Sequence, residues 1–289
     1  MLLLSSLLNG LAIGSMYGLL GLGFHITWSV SRTVNFAQGS GMMLGAVLCY
    51  SLWITWAWPL WAAIPATLAL TALYGLVIER AVVRPFRSRG SDAWLMATVA
   101  AGLLVDNLAM AAFGREPRGM PSSLTQSFPV FDVGVQPLQL LIIAVGLGAA
   151  LLFHLVTRRS LLGKALLAVV QNPRAASLMG IPVDRVIAAS YALSALMAGA
   201  AGILIAPLYT VSSTIGFLFG IKAFAVAILG GLDNAWGVFC AGLLFGAAES
   251  LVTALFGSSF TGILTFGFVI AALVLRPHGL FGQAGVVKV

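Results

Sequence analysis

The sequence predicts an all-α polytopic membrane protein, and three observations carry that prediction. Of 289 residues, 60% are hydrophobic and only 8% are charged, against about 25% charged in an average soluble domain. The mean hydropathy is +1.05. The apolar residues fall in runs long enough to cross a bilayer as helices, and the runs do not alternate as the strands of a membrane β-barrel do.

Candidate spans are the runs at 2–30, 36–57, 59–82, 94–114, 138–157, 186–207, 217–232, 235–256 and 258–275. The run at 217–232 is short, and the one from Phe36 is rich in glycine and polar residues, so either is a candidate half-helix. The expected count is therefore eight or nine, in a single transmembrane domain covering 1–289. "MLLLSSLLNG" carries no basic region and no cleavage site, and reads as the start of the first span rather than a signal peptide.

The net charge of +7 is not a nucleic-acid signal. Arg84, Arg87 and Arg89 cluster in one connector, and Arg158, Arg159, Lys164, Arg174 and Arg185 in the connector 158–185. That is the positive-inside pattern, with no basic stripe interleaved with aromatics. Both connectors are expected on the cytoplasmic side, with Arg32 and the C-terminal Arg276 and Lys288. In the loop 115–137, Arg115 and Arg118 are balanced by Glu116 and Asp132. It is expected outside, as is the N-terminus.

The 33 glycines concentrate in the apolar runs, and Gly14–Gly18 and Gly242–Gly246 are GxxxG pairs. Small residues let helix backbones approach closely where lipid supplies no hydrophobic drive between them, so many packed helices are expected. Cys49 and Cys240 lie far apart in apolar runs and are expected to pack as small hydrophobes. The "YGLVIERAV" around Glu79 and the "FGAAESLVT" around Glu249 share an aromatic-Gly-then-Glu pattern that is compatible with an internal repeat.

Several chemistries lack their residues. The sequence contains no P-loop and no HExxH, and His25, His154 and His278 are scattered. No Ser, His and acid fall in a recognisable nucleophilic arrangement. An ion-coupled carrier needs carboxylates within its spans. Asp106 and Glu249 are the candidates, and Glu79, next to Arg80, is expected at the interface. Lys222 is expected to snorkel. "SRTVNFAQGSGMMLGA" (31–46) places Asn35, Gln38 and Ser40 where a span should begin. It reads either as a broken helix lining a path, since irregular backbone at membrane depth needs a cavity or protein cover, or as a polar loop before an ordinary helix.

"AVVQNPRAASLMGIPVDR" (168–185) is a polar interruption. Asn172 is an N-cap, Pro173 suits the first helical position, and Gly180 followed by Pro182 closes the helix in a left-handed turn. A helix of about seven residues is not stable alone. It must dock on its own membrane domain or on another protein.

The same stretch carries a family resemblance. "NPRAASLMGIPVDRVIAASYALSALMAGAAGIL" (172–204), "RTVNFAQGSGMMLGA", "GIKAFAVAILGGLDNAWGVFCAGLLFGAAE" (220–249) and "RPHGLFG" (276–282) resemble the permeases of bacterial branched-chain amino acid ABC importers, closer to the LivH-type than the LivM-type subunit. The resemblance implies a permease fold of the vitamin B12 and ribose importer type and a multi-pass place in the bacterial inner membrane. It implies two cytoplasmic ATPases that bind ATP and Mg, a second permease of LivM type, and a periplasmic binding protein. This chain itself would bind no cofactor and catalyse no reaction. Asn172, Arg174, Ala175, Ala176, Gly180 and Ile181 would couple to the ATPase, and Asn35, Gln38, Ser40, Gly230 and Gly231 would neighbour the path. Where the family prefers His after Asn-Phe-Ala this chain has Gln38, with Ser40 and the run Gln171-Asn172-Pro173-Arg174 where acids are usual. These departures leave urea, amides and aromatic acids open as substrates. The competing class is an ion-coupled secondary transporter.

Overall fold

The computed structural model describes residues 2–87, 89–122, 128–130, 133–276 and 279–282. Asp132, His278 and Lys288 lie outside them. The helices are α1 (Leu2–Ser31), α2 (Gln38–Tyr50), α3 (Leu60–Val77), α4 (Arg84–Arg87), α5 (Trp94–Phe113), α6 (Pro137–Arg159), α7 (Leu161–Gln171), α8 (Pro173–Leu178), α9 (Val183–Ile205), α10 (Ile215–Gly230), α11 (Ala235–Phe256) and α12 (Ser258–Leu275). Two π-helical turns, Ser51–Thr55 and Ile78–Val83, continue α2 and α3. Strands β1 (Phe128–Val130) and β2 (Val133–Val135) form a small antiparallel pair in the loop before α6.

Among the described residues, seven helices are long and apolar enough to span a membrane: 4–31, 60–87, 94–113, 137–159, 183–205, 235–256 and 258–275. The two segments suspected of being half-helices are the shorter ones. α2 runs 13 residues before its π turn, and α10 has 16.

The chain divides into two compact units. One is Met1–His25, Ser123–Ala150 and Lys222–Val289. Its core is a seam in which the two GxxxG pairs face each other. A Cβ on Gly14 would lie 2.6 Å from the Gly242 carbonyl oxygen, and one on Gly242 2.6 Å from the Gly18 nitrogen. Gly10 meets Gly246 in the same way. α10 turns into α11 through Gly231 (φ +87°), and Asn234 Oδ1 caps α11 by accepting from Gly237 N at 3.2 Å. Lys222 does not snorkel. Its ammonium donates to the Glu249 carboxylate that α11 presents.

The other unit is Ile26–Ser122 and Leu151–Ile221. α9 packs between α2 and α3. Gly45 lies against Gly199 and Gly75 against the Tyr191 carbonyl, so that backbone meets backbone. Cys49 is buried with Met43, Val47, Phe113 and Val211, as its apolar surroundings in sequence suggest. Cys240, in the first unit, is half-buried. Glu79, expected at the interface, is fully buried.

Candidate functional site

The segment between α6 and α9 holds two helices rather than one. Ser160 Oγ accepts from Gly163 N at 2.9 Å and starts α7, which the charge count had hidden inside a connector. Leu161 and Leu162 at its head are exposed, while Val169 is buried. One residue later, Asn172 Oδ1 accepts from Ala175 N at 3.0 Å and starts α8, with Pro173 in its first turn.

α8 ends as its sequence requires. Gly180 adopts φ +83°. Its N–H donates to the Ser177 carbonyl at 3.0 Å, and the Ile181 N–H donates to the Ala176 carbonyl at 3.0 Å. This is the paired closure of a Schellman turn. The helix is six residues long and fixed at both ends. Ala176 is buried in a cluster with Ile78, Val83, Val169, Ile187 and Tyr191. Ala175, Arg174 and Asn172 face outward, and at the tip Leu178 is 89% exposed and Met179 83%. Docking is therefore divided by face: Ala176 holds α8 to its own unit, and two large apolar side chains are left uncovered.

Beside α8 lies a cleft of about 690 Å³, lined by Arg80, Arg84, Arg174, Ser177, Asp184 and Arg185 among others. Asp184, at the head of α9, accepts from Arg84 at 2.7 Å and Arg87 at 2.9 Å. Sequence reasoning saw these charges only as a tally. The available signal was that Asp184 is the lone acid in a basic connector. Glu79 lies within electrostatic reach of Arg84 and Arg87, and neither of its oxygens has a hydrogen-bond partner among the described residues.

In the polar stretch leading into α2, Asn35, Gln38 and Ser40 are all buried. Asn35 Oδ1 accepts from Ala37 N at 3.1 Å, while its Nδ2 finds no acceptor among the described residues. Gln38 Nε2 donates to the Ser194 carbonyl at 3.0 Å, and Ser40 Oγ donates to the Gly102 carbonyl at 3.2 Å. Tyr74 donates its hydroxyl to the Ala37 carbonyl at 2.9 Å. These residues thus bind α2 to α3, α5 and α9. The structure brings Asn35, Gln38 and Ser40 together in one unit. Gly230 and Gly231 sit in the other, where a Cβ on Gly230 would lie 2.4 Å from the Val238 Cα.

Apolar spanning helices, glycine-mediated packing and a capped surface helix define a multi-pass membrane protein. The family model described as "Branched-chain amino acid transport system / permease component" matches residues 6–274, and the chain belongs to that family. It is 30% identical to the high-affinity branched-chain amino acid transport system permease protein LivH of Escherichia coli (strain K12), over 99% of this chain and 97% of that one. Identity to the corresponding permease BraD of Pseudomonas aeruginosa is also 30%, over 99% and 98%. Among solved structures, PsaBC from Streptococcus pneumoniae in complex with Fab superposes with a TM-score of 0.52 at 15% identity, covering 93% of this chain and 91% of that one. At that identity the likeness concerns the fold alone. The chain is a permease component of an ABC importer.

Proposed function

We propose that this chain carries branched-chain or closely related amino acids across the bacterial inner membrane by alternating access, driven by ATP hydrolysed on separate subunits. The observation that carries the reading is α8. Its two caps hold a six-residue helix that would not persist alone, and they hold it with Leu178 and Met179 outward. The chain has no P-loop, so the partner we assign to that face is an ATPase, two of them per importer, with ATP and Mg bound there. ATP can drive transport only by favouring one arrangement of the permease over another. Asn172, Arg174, Ala175, Ala176, Gly180 and Ile181 transmit that preference. Asn35, Gln38, Ser40, Gly230 and Gly231 lie beside the path and set how its helices pack.

The substrate class rests on the names of the relatives. A LivM-type second permease and a periplasmic binding protein complete the assembly. The test is leucine uptake into proteoliposomes holding the whole complex with its binding protein. Uptake is expected with ATP and not without it. Uptake driven by an ion gradient with the ATPases removed would make the chain a secondary transporter, and uptake of urea, amides or aromatic acids in preference to leucine would replace the substrate.

A further inference from the structure

Three helices bring polar groups of the first unit together well inside their apolar lengths. Tyr17 lies at the middle of the span 4–31, Lys222 at the middle of α10, and Glu249 in the second half of α11. Lys222 Nζ donates to Glu249 Oε1, and the Tyr17 hydroxyl donates to Glu249 Oε2 at 2.9 Å. The ammonium also sits 6.0 Å from the centre of the Tyr17 ring. The GxxxG seam accounts for the meeting, since Gly14 and Gly18 flank Tyr17 while Gly242 and Gly246 precede Glu249 by about two turns and one turn.

A lone charge at this depth costs several kcal/mol, and a buried pair gains little net stability over apolar packing. Holding three helices together is therefore a weak reason for this pair. Nor is it sealed: the Lys222 side chain is 24% exposed and that of Glu249 13%. Hydrocarbon does not solvate such groups, so their open side is suited to water or a polar solute. Lys222 donates to no oxygen other than that of Glu249 among the described residues, which leaves ammonium hydrogens to offer.

We propose that Lys222 and Glu249, positioned by Tyr17, form a transit site for the zwitterionic end of an amino acid, the ammonium taking the substrate carboxylate and the carboxylate taking the substrate ammonium. This rests on the amino-acid reading of the substrate above. The exchange replaces one close ion pair by two, so every charge is paired once the substrate is seated. Affinity at such a site is moderate, as a site that must release its occupant requires.

The first experiment uses the complete complex with Cys49 and Cys240 replaced by Ala and Ala225→Cys introduced, one turn from Lys222 on α10 and partly exposed, so that both charges stay in place. A cationic methanethiosulfonate reagent should label the new thiol, and millimolar leucine should slow the labelling by roughly tenfold, the change that about 1.4 kcal/mol of competition represents. No labelling, or labelling at the same rate with leucine, overturns the proposal. The second uses the exchange Lys222→Glu with Glu249→Lys, which keeps an ion pair between the same helices. An assembled complex with leucine uptake reduced about tenfold or more, because each end of the substrate in its original orientation now meets a like charge, supports the site. Wild-type uptake overturns it. If the exchanged complex does not assemble, the labelling result decides. Absence of ATP-driven leucine uptake by the wild-type complex would count against the transport reading instead, before either variant is compared.

Discussion

Gln38 and Ser194 bond to each other twice. Gln38 Nε2 donates to the Ser194 carbonyl at 3.0 Å, and Ser194 Oγ donates back to Gln38 Oε1 at 2.9 Å. Both residues are buried, one on α2 and one on α9. Gln38→Leu removes both bonds and strands polar atoms where water does not reach, at about 1–3 kcal/mol for each group left unsatisfied. A lowered thermal midpoint of the purified complex in detergent is expected. An unchanged midpoint would mean that the pair adds nothing to helix association.

At Gly180 the effect is one of backbone alone. The φ of +83° is left-handed, yet a Cβ there would meet nothing within 4 Å. Gly180→Val strains the turn by about 1–2 kcal/mol, whereas Gly180→Asn is tolerated because Asn adopts that region readily. ATP-driven leucine uptake should fall with Val and persist with Asn. Equal uptake in the two variants would detach α8 closure from transport.

The glycine seam makes the opposite case, in which space decides. Gly14→Ile and Gly242→Ile each push a side chain into a neighbouring backbone, and overpacking of this kind costs about 1–3 kcal/mol or more. Gly148→Ile is the control, since a Cβ there meets nothing within 4 Å. Fluorescence-detected gel filtration should show loss of the folded peak for the first two and not for the third.

Leu178 and Met179 are nearly fully exposed, so replacing both with Ala should leave the permease's melting temperature unchanged. Co-purification of the ATPase should fall sharply, because apolar anchors in interface centres typically carry about 2 kcal/mol or more each. Full retention of the ATPase would move the docking face elsewhere.

Asp184 and Arg84 are each about half exposed, at 54% and 46%. Asp184→Asn should cost the fold less than about 1 kcal/mol, the range of exposed pairs. Arg84 and Arg87 then lose their anchor on α9, and coupled ATPase activity should change more than stability does. A denaturation curve paired with a hydrolysis assay separates the two effects.

What could be read in advance was local. The caps of α8 follow from Asn172, Pro173 and Gly180 within nine residues, and nothing distant competes with them. The GxxxG pairs announced close contact, though which glycine faces which depends on how α11 returns against α1. The helix α7 was missed because Lys164 and the surrounding arginines read as a cytoplasmic connector, while its Ser160 cap is a single residue. Lys222 was misjudged because its partner lies 27 residues away. Snorkelling can be inferred from one helix, but an ion pair between two helices needs their register. The full burial of Glu79 likewise depends on tertiary packing and not on its neighbours in sequence.

Where two backbones touch with no side chains between them, there is no layer of rotating methyls on which to slide. α1 and α11 meet in this way at Gly10, Gly14, Gly242 and Gly246. Over that length the contact fixes the register of the two helices, and with it the spacing of Tyr17 and Glu249, one on each helix. The seam acts as a ruler, not a hinge.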